Sequence, residues 1–234
     1  MPPRGQDNDT TADFAADCVC EFLEAALHAT LHRRGVYPDE AFELVRLYDV
    51  PLHRARHPEL RDYLATAVAA IRPWVRTGAA SRLELVICED GNSSVEVERH
   101  TFVFGLHGAA AEAAAQLRSN SLPKPMSAAD VQAVEGALRR QLAEMLVRHS
   151  QTDAWLQPPL GGECTFRLVV HTDERGPDPE VLWVQDGVVA GTPKPREAHT
   201  APPVSLDIQA LPADPMFHLE VFSCRYTDEA RRTE

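Results

Sequence analysis

The chain has 234 residues, and 44% of them are hydrophobic, which is enough for one well-packed domain. Its 23 basic and 35 acidic side chains give a formal charge of -12, which opposes broad attraction to nucleic acid or anionic lipid. We therefore expect no direct contact with nucleic acid or a membrane. Because no apolar leader or membrane-spanning stretch is visible, we also expect a soluble, intracellular protein.

A long helix is predicted from about residue 11 to residue 34, because apolar residues recur there every three or four positions and Gly35 follows as a natural stop. His28 and His32 continue an acidic stripe on the other side, which indicates a solvated helix face. The alternative is a metal site. It is disfavoured because Ala29 stands where the zinc-hydrolase motif H-E-x-x-H carries its glutamate.

A second helix is predicted in "HPELRDYLATAVAAIRPWV", with Pro58 in its first turn. Tyr63 lies beside its apolar stripe, a position typical of an aromatic residue at the edge of a core. Alternation then predicts a β-hairpin, with "EDGNS" as the turn between two strands. The alanine-rich and Ser/Pro-rich residues 107–126 read as a surface connection with a single helical turn.

Ser127 and Asp130 form a capping-box pattern at the start of a third helix. Strands are predicted in "GGECTFRLVVHT", "PEVLWVQDG" and residues 216–224. Between the last two, residues 188–215 hold six of the 18 prolines and no steady period, which indicates a mobile lid or binding segment, or else an inert linker. The order of elements predicts an α+β fold with three main helices on a mostly antiparallel sheet.

Signals of catalysis are missing from the sequence. No phosphate-loop, dinucleotide-binding or nucleophile-elbow motif occurs, and no nucleophile, base and orienting residue can be named together. The five cysteines, at positions 18, 20, 88, 164 and 224, include no C-x-x-C pair, which predicts reduced, packed thiols. We therefore predict no catalytic residue, no cofactor and no metal site.

Three stretches carry a family likeness: "CEFLEAALHATLHRRGVYPDEAF", "YDVPLHRARHPELRDYL" and "CTFRLVVHT". In this order they resemble the HORMA domain family, and within it the Rev-seven branch, the accessory subunits of DNA polymerase zeta. The resemblance runs from about residue 12 to residue 225. It implies a disordered N-terminus (1–11), a HORMA domain (12–225) with a core (12–187) and a C-terminal safety belt (188–225), and a frayed tail (226–234).

The resemblance implies a non-enzymatic adaptor that holds a partner peptide as an added strand under its safety belt. In this branch the peptide is a proline-containing motif of the polymerase zeta catalytic subunit, gripped partly by aromatic residues. Tyr37 in "VYP" and Tyr63 after "HPELRD" match two of these positions. The family's belt tryptophan has no match here, because Ala190 or Gly191 falls at its place and Trp183 comes earlier.

The resemblance also implies other contacts. Leu206, Glu220 and Phe222 match a surface that docks the C-terminal domain of the Rev-one scaffold polymerase, although Glu220 replaces a glutamine and Phe222 a tyrosine. Arg139 matches an arginine on the face between two HORMA domains in a dimer. An ATP-driven HORMA remodeller is a further expected partner, since a belt closed over a buried peptide has to be reopened.

The function expected from the resemblance is therefore translesion DNA synthesis, with the chain as a bridge between polymerase zeta and the Rev-one scaffold. The expected location is the nucleus, with the cytoplasm as a second location. Two alternatives stay open: a spindle-checkpoint or meiotic HORMA adaptor, and, from a different class, a metal-dependent enzyme built around His28 and His32.

Overall fold

The first helix, α1 (Thr11–Arg33), runs through the centre of the molecule. The computed structural model describes residues 10–89, 92–151, 156, 160, 164–172, 198–200, 204–211 and 214–226. A capping box starts α1: the Thr10 hydroxyl accepts from the Asp13 backbone N–H at 3.2 Å, and the Asp13 carboxylate accepts from the Thr10 N–H at 3.0 Å. Most side chains between residues 12 and 31 are buried, and Gly35, at φ 66°, ends the helix as predicted.

A two-stranded hairpin covers one side of α1. It consists of β1 (Phe42–Leu47) and β2 (Val50–Ala55), joined by Tyr48 and Asp49 at positive φ, and a short 3₁₀ turn (Asp39–Ala41) precedes it. The hairpin buries His28, which is 2% exposed and whose Nδ1 accepts from the Ala55 N–H at 3.4 Å. The predicted solvated face is therefore wrong at His28, because a hairpin that helical periodicity cannot reveal lies over it.

The second helix and the β-hairpin after it are confirmed. α2 (Pro58–Thr77) has Pro58 in its first turn and ends at Gly78, which takes φ 69°. β3 (Ala80–Glu89) and β4 (Asn92–Leu106) pair antiparallel. The next element corrects the prediction of a surface connection, because α3 (Gly108–Arg118) is a helix of 11 residues. Its inner side is made of alanines, which allow a close approach to the core.

The third predicted helix is the fourth in the structure, α4 (Ala128–Gln151), and its capping box is confirmed. The Ser127 hydroxyl accepts from the Asp130 N–H at 3.2 Å, and the Asp130 carboxylate accepts from the Ser127 hydroxyl at 2.7 Å. β5 (Cys164–Thr172) follows and confirms "CTFRLVVHT" as a strand. The strand predicted in "PEVLWVQDG" lies outside the described residues.

Three strands close the described chain: β6 (Ala198–Thr200), β7 (Val204–Leu211) and β8 (Asp214–Tyr226). β8 confirms the predicted returning strand. β6 and β7 correct the expectation that residues 188–215 lack regular structure. Val204, Leu206 and Ile208 do alternate with polar residues, but flanking prolines at 202, 203 and 212 obscured this pattern.

The described strands form a main sheet of six, with the order β5-β3-β4-β8-β6 and with β7 also paired to β8. All of these pairs are antiparallel. The inward face packs on α1 through buried side chains such as Leu85, Phe102 and Leu219. The fold is thus α+β as predicted, with four helices among the described residues instead of three.

Candidate functional site

Among the described strands, β5 forms one edge of the main sheet. β5 pairs with β3 along one side, and no strand among those described pairs with its other side. A strand with one free edge directs alternate backbone N–H and C=O groups away from the sheet, where they can pair with another extended segment.

Three aromatic rings gather beside this open edge. Phe166 of β5 stands in register with the buried Ile87, so it faces the helices. Its ring centroid lies 6.3 Å from that of Tyr37 and 5.9 Å from that of Tyr63, at interplanar angles of 83° and 69°. These are edge-to-face contacts, the geometry that aromatic pairs prefer.

Each tyrosine is placed by its local structure. The α1 C-terminal turn at Gly35 brings Tyr37 over the end of the helix layer, and Pro58 fixes the start of α2, which carries Tyr63. Burial raises the pKa of both tyrosine hydroxyls, and Tyr37 contributes further to the rise at Tyr63. Both hydroxyls are therefore uncharged hydrogen-bond donors at neutral pH. Tyr63 is nevertheless 42% exposed, so much of its ring is open to solvent.

We call the open edge of β5 together with Tyr37, Tyr63 and Phe166 the β5 groove. An extended peptide laid along it gains main-chain hydrogen bonds that tolerate many sequences. Its inward side chains meet aromatic rings, which are the surfaces that proline-rich segments use in other recognition modes. The groove can therefore pair with an extended segment and hold its inward side chains against aromatic rings.

The β5 groove brings together both tyrosines singled out from the sequence. Phe166 was missed, although the alternation in "CTFRLVVHT" could have placed it on the inward face. Trp183, Ala190 and Gly191 lie outside the described residues, so any part they take in the peptide clamp stays a prediction.

A second predicted surface lies across the sheet, on β7 and β8. Glu220 and Phe222 alternate with the buried Leu219, and Phe222 is 36% exposed. The backbone register pairs Leu206 with Leu219 and Ser205 with Glu220. The three predicted contact residues are thus on neighbouring strands, but Leu206 is in the register row of the buried Leu219, and successive rows belong to opposite faces of a sheet, so the register does not put Leu206 on the face of Glu220 and Phe222.

The predicted dimer residue, Arg139, lies on the exposed side of α4. Its side chain is 60% exposed and contacts Glu135 at 3.1 Å, one helical turn earlier. Arg139 is therefore accessible to a partner, and its role at a dimer face stays a prediction.

A buried ionic cluster, which the sequence did not predict, ties β8 to the core. Arg34 binds Glu98 through two hydrogen bonds of 2.8 and 2.7 Å, with both side chains almost fully buried. His100 lies 3.4 Å from Glu98 through Nε2 and 2.9 Å from the Ser223 hydroxyl through Nδ1. Burial raises the pKa of Glu98, but hydrogen bonds from His100 and Arg34 outweigh it and lower the pKa to about 2.

The two histidines considered as metal ligands, His28 and His32, each contact other residues of the fold. Burial, with Arg54 and Arg61 nearby, lowers the pKa of His28 to about 4. The His32 ring stacks on the His53 ring at 3.6 Å. Within the described part of the chain, no three His, Cys, Asp or Glu side chains are grouped so that they could hold a metal ion. The described helices also include none that is long and apolar enough to cross a membrane.

Sequence comparisons give named relatives. The zebrafish "Mitotic spindle assembly checkpoint protein MAD2B" is 30% identical over 159 residues, which cover 68% of this chain and 66% of that protein, just under two thirds of its length. The Arabidopsis thaliana "DNA polymerase zeta processivity subunit" is 28% identical over 213 residues, covering 89% of this chain and 85% of that protein.

Solved structures show the same fold. A chain in the crystal structure of the mitotic checkpoint complex matches with a TM-score of 0.62 at 21% identity, covering 92% of this chain and 99% of that one. The structure of C. elegans HTP-2 bound to the HIM-3 closure motif matches with a TM-score of 0.58 at 13% identity, covering 92% and 91%. The model of the HORMA domain family matches residues 15–193, more than half of the chain. The chain therefore belongs to the HORMA domain family.

Proposed function

We propose that this chain is a non-catalytic adaptor that captures a proline-containing segment of a partner protein by strand addition in the β5 groove. The observation that carries the proposal is the open edge of β5 with Tyr37 and Tyr63 in edge-to-face contact with Phe166 beside it. Support comes from the HTP-2 structure, a HORMA fold that was solved bound to a closure motif. The proposed safety belt over the captured segment is residues 188–225, which include β6, β7 and most of β8.

The partner proposed is the catalytic subunit of DNA polymerase zeta, which makes the chain an accessory subunit in translesion synthesis in the nucleus. The Arabidopsis relative, named a processivity subunit of this polymerase, supports the choice across 89% of the chain. The net charge of -12 is compatible with this partner, because an adaptor of this kind reaches DNA through the polymerase and need not bind DNA itself.

Bridging to the Rev-one scaffold is proposed through Leu206, Glu220 and Phe222 on β7 and β8. The β5 groove and this surface lie at opposite ends of the strand order, with β3 and β4 between them. One chain could therefore bind a peptide and a scaffold domain at the same time. A HORMA dimer through Arg139 and an ATP-driven remodeller remain further proposed contacts.

The test is calorimetric titration of the folded chain with a proline-containing peptide from the polymerase zeta catalytic subunit. We expect one-to-one binding that is lost when the peptide prolines are changed to alanine. The matched variants are Phe166→Ala, inside the groove, and Leu44→Ala, a substitution at a 66% exposed residue on β1. Phe166→Ala should weaken binding at least tenfold, and Leu44→Ala should leave it unchanged. Binding that is indifferent to both the prolines and Phe166 would refute capture in the groove.

A spindle-checkpoint adaptor is the second candidate. It is favoured by the zebrafish relative, whose name is that of a spindle assembly checkpoint protein, and by the match to the mitotic checkpoint complex. The same titration with checkpoint-partner peptides separates the two. Tighter binding of those peptides than of the polymerase peptide would favour the checkpoint role.

A further inference from the structure

A cavity of about 230 Å³ lies beside α3, and we call it the α3 cavity. Its walls come from the middle of α1, the end of α2, the start of β3, the end of β4 and one side of α3. Small residues make this space, because five of the eleven lining residues are glycine or alanine, at positions 78, 80, 105, 111 and 114. The larger apolar lining residues are Val19, Val75, Phe104 and Leu106. Walls of this kind favour the hydrocarbon part of a ligand.

Among the described residues that line the α3 cavity, Arg118 is the charged one. It belongs to the last turn of α3 and is exposed, so it stands at the mouth of the cavity. Its Nη1 donates to the Thr77 carbonyl at 2.6 Å, which ties the end of α3 to the end of α2. Gly78 makes room for this contact, because a Cβ at that position would lie 3.2 Å from the Arg118 Nη1. The guanidinium is therefore held beside the apolar walls.

The Arg118 guanidinium can accept a further partner. The Thr77 carbonyl takes one hydrogen bond from a group that carries five N–H donors. No carboxylate in the described part of the chain forms an ion pair with Arg118. A planar guanidinium binds a carboxylate through two parallel hydrogen bonds. The charge at the mouth thus favours an anion, and the shape of the guanidinium favours a carboxylate.

We propose that the α3 cavity binds a small-molecule carboxylate with an apolar body, whose hydrocarbon part lies against the apolar walls while Arg118 binds the carboxylate. The volume sets the size of the ligand. Benzene binds in an apolar cavity of about 150 Å³. A cavity of about 230 Å³ therefore takes an apolar body somewhat larger than benzene. Such a ligand contacts α1, β4 and α3 together, so it stabilises the packing of α3 on the core.

The α3 cavity is separate from the β5 groove. On α2, Tyr63 of the groove and Val75 of the cavity are about 18 Å apart along the helix axis. On β3, Ala80 lines the cavity, whereas Ile87, near the other end of the strand, is level with Phe166 of the groove. The proposal therefore does not depend on peptide capture, and either one can fail while the other holds.

The experiment is an NMR titration of the full chain, labelled with ¹⁵N, with hexanoate, hexanol and hexylammonium as probes of equal chain length. Amide shifts report where each probe binds, and their concentration dependence gives the dissociation constants. We expect hexanoate to bind about tenfold more tightly than hexanol, because it adds charge-assisted hydrogen bonds from Arg118. Hexylammonium should bind no more tightly than hexanol. Butanoate should bind about tenfold more weakly than hexanoate, because two methylene groups fewer contact the walls. Phenylacetate, titrated in parallel, distinguishes an aromatic body from an aliphatic one, and tight binding of either carboxylate supports the proposal.

Three variants decide the assignment. Arg118→Gln should bind hexanoate and hexanol equally, whereas the control Arg140→Gln, at an exposed arginine on α4, should keep the preference for hexanoate. Ala111→Leu should weaken the binding of every probe, because the larger side chain fills part of the cavity. If Ala111→Leu does not fold, the loss of preference in Arg118→Gln remains the decisive result. The proposal would be overturned by a preference that persists in Arg118→Gln, by equal binding of hexanoate and hexanol to the wild type, or by unshifted lining amides in the folded wild type.

Discussion

Tyr63 is a side chain that the fold buries only in part and leaves accessible for binding. It is 42% exposed, and it contacts the core edge through Phe166 alone among the ring contacts of the described residues. A peptide that covers the rest of the ring gains apolar contact without rearranging the core.

We predict that Tyr63→Ala weakens binding of the proline-containing peptide by about tenfold or more, because buried aromatic anchors contribute on the order of 2 kcal/mol at interfaces. The melting temperature should change little, since the lost surface is half exposed. Calorimetry and thermal melts measure the two effects. A large drop in the melting temperature with unchanged affinity would assign Tyr63 to the core.

Glu98 is the opposite case, a charged residue with no solvent access. Glu98→Ala should lower the free energy of unfolding by about 3–5 kcal/mol, because it removes the buried carboxylate that the Arg34 guanidinium binds through two hydrogen bonds. The matched control is Glu144→Ala, which removes an exposed pair with Arg148 and should cost less than about 1 kcal/mol. Urea denaturation measures the unfolding free energy of both variants. Equal losses of stability would show that the buried Arg34–Glu98 pair stabilises the fold no more than an exposed pair does.

His28 should make stability depend on pH. Its pKa falls from 6.5 to about 4 on folding, so the unfolded chain binds the proton more tightly. The stabilising contribution is complete above pH 6.5 and is lost as the pH falls toward 4. We predict that His28→Asn reduces the slope of unfolding free energy against pH in this window by up to about 1.36 kcal/mol per pH unit.

Denaturant titrations at several pH values between 6.5 and 4 measure this slope. His149, whose pKa burial also lowers, should keep part of the slope in the variant, while Glu98 contributes at lower pH. An unchanged slope in His28→Asn would mean that His28 is protonated in the folded chain.

At the scale of elements, α1 shows what helical periodicity can predict and what it cannot. Its bounds were predictable from the apolar spacing and Gly35, and the hairpin β3–β4 from alternation around "EDGNS". The burial of His28 could not be predicted, because β2, which is far away in the sequence, covers it. Helical spacing separates an apolar stripe from a polar stripe, but it does not show whether another element lies over the polar one.

α3 was missed for a related reason. A run of alanines has high helix propensity, but it offers little contrast between an apolar side and a polar side, so periodicity did not show that a helix packs here. Ala110, Ala113 and Ala114 are in fact buried, and small side chains suit this close contact.

Two substitutions test the packing of α3. Ala114→Asp should destabilise the chain by about 1–3 kcal/mol, because Ala114 is 2% exposed and the new carboxylate is removed from water there. Ala115→Asp, at the exposed neighbouring position, should cost less than about 1 kcal/mol. Chemical denaturation provides the comparison, and similar losses for both would show that α3 is not packed as described.

At the scale of the whole molecule, the sheet separates two proposed surfaces. The tyrosines of the β5 groove came from a resemblance carried by "VYP" and "HPELRD", and the fold brings them together on Phe166. Their meeting could not be derived from spacing, since 26 positions separate them along the chain. On β7 and β8 the fold unites only two of the three predicted scaffold contacts, because the register places Glu220 and Phe222 on one face of the sheet and Leu206 in the row of Leu219 on the other.

The most direct test of strand addition is amide hydrogen exchange of the chain with and without the proline-containing peptide. An added strand pairs with the β5 amides that point away from β3. Amide exchange within Cys164–Thr172 should therefore slow on binding, while amide exchange in β1 and β2 stays unchanged. This result would establish the open edge of β5 as the place of capture. Peptide binding that leaves β5 exchange unchanged would contradict it.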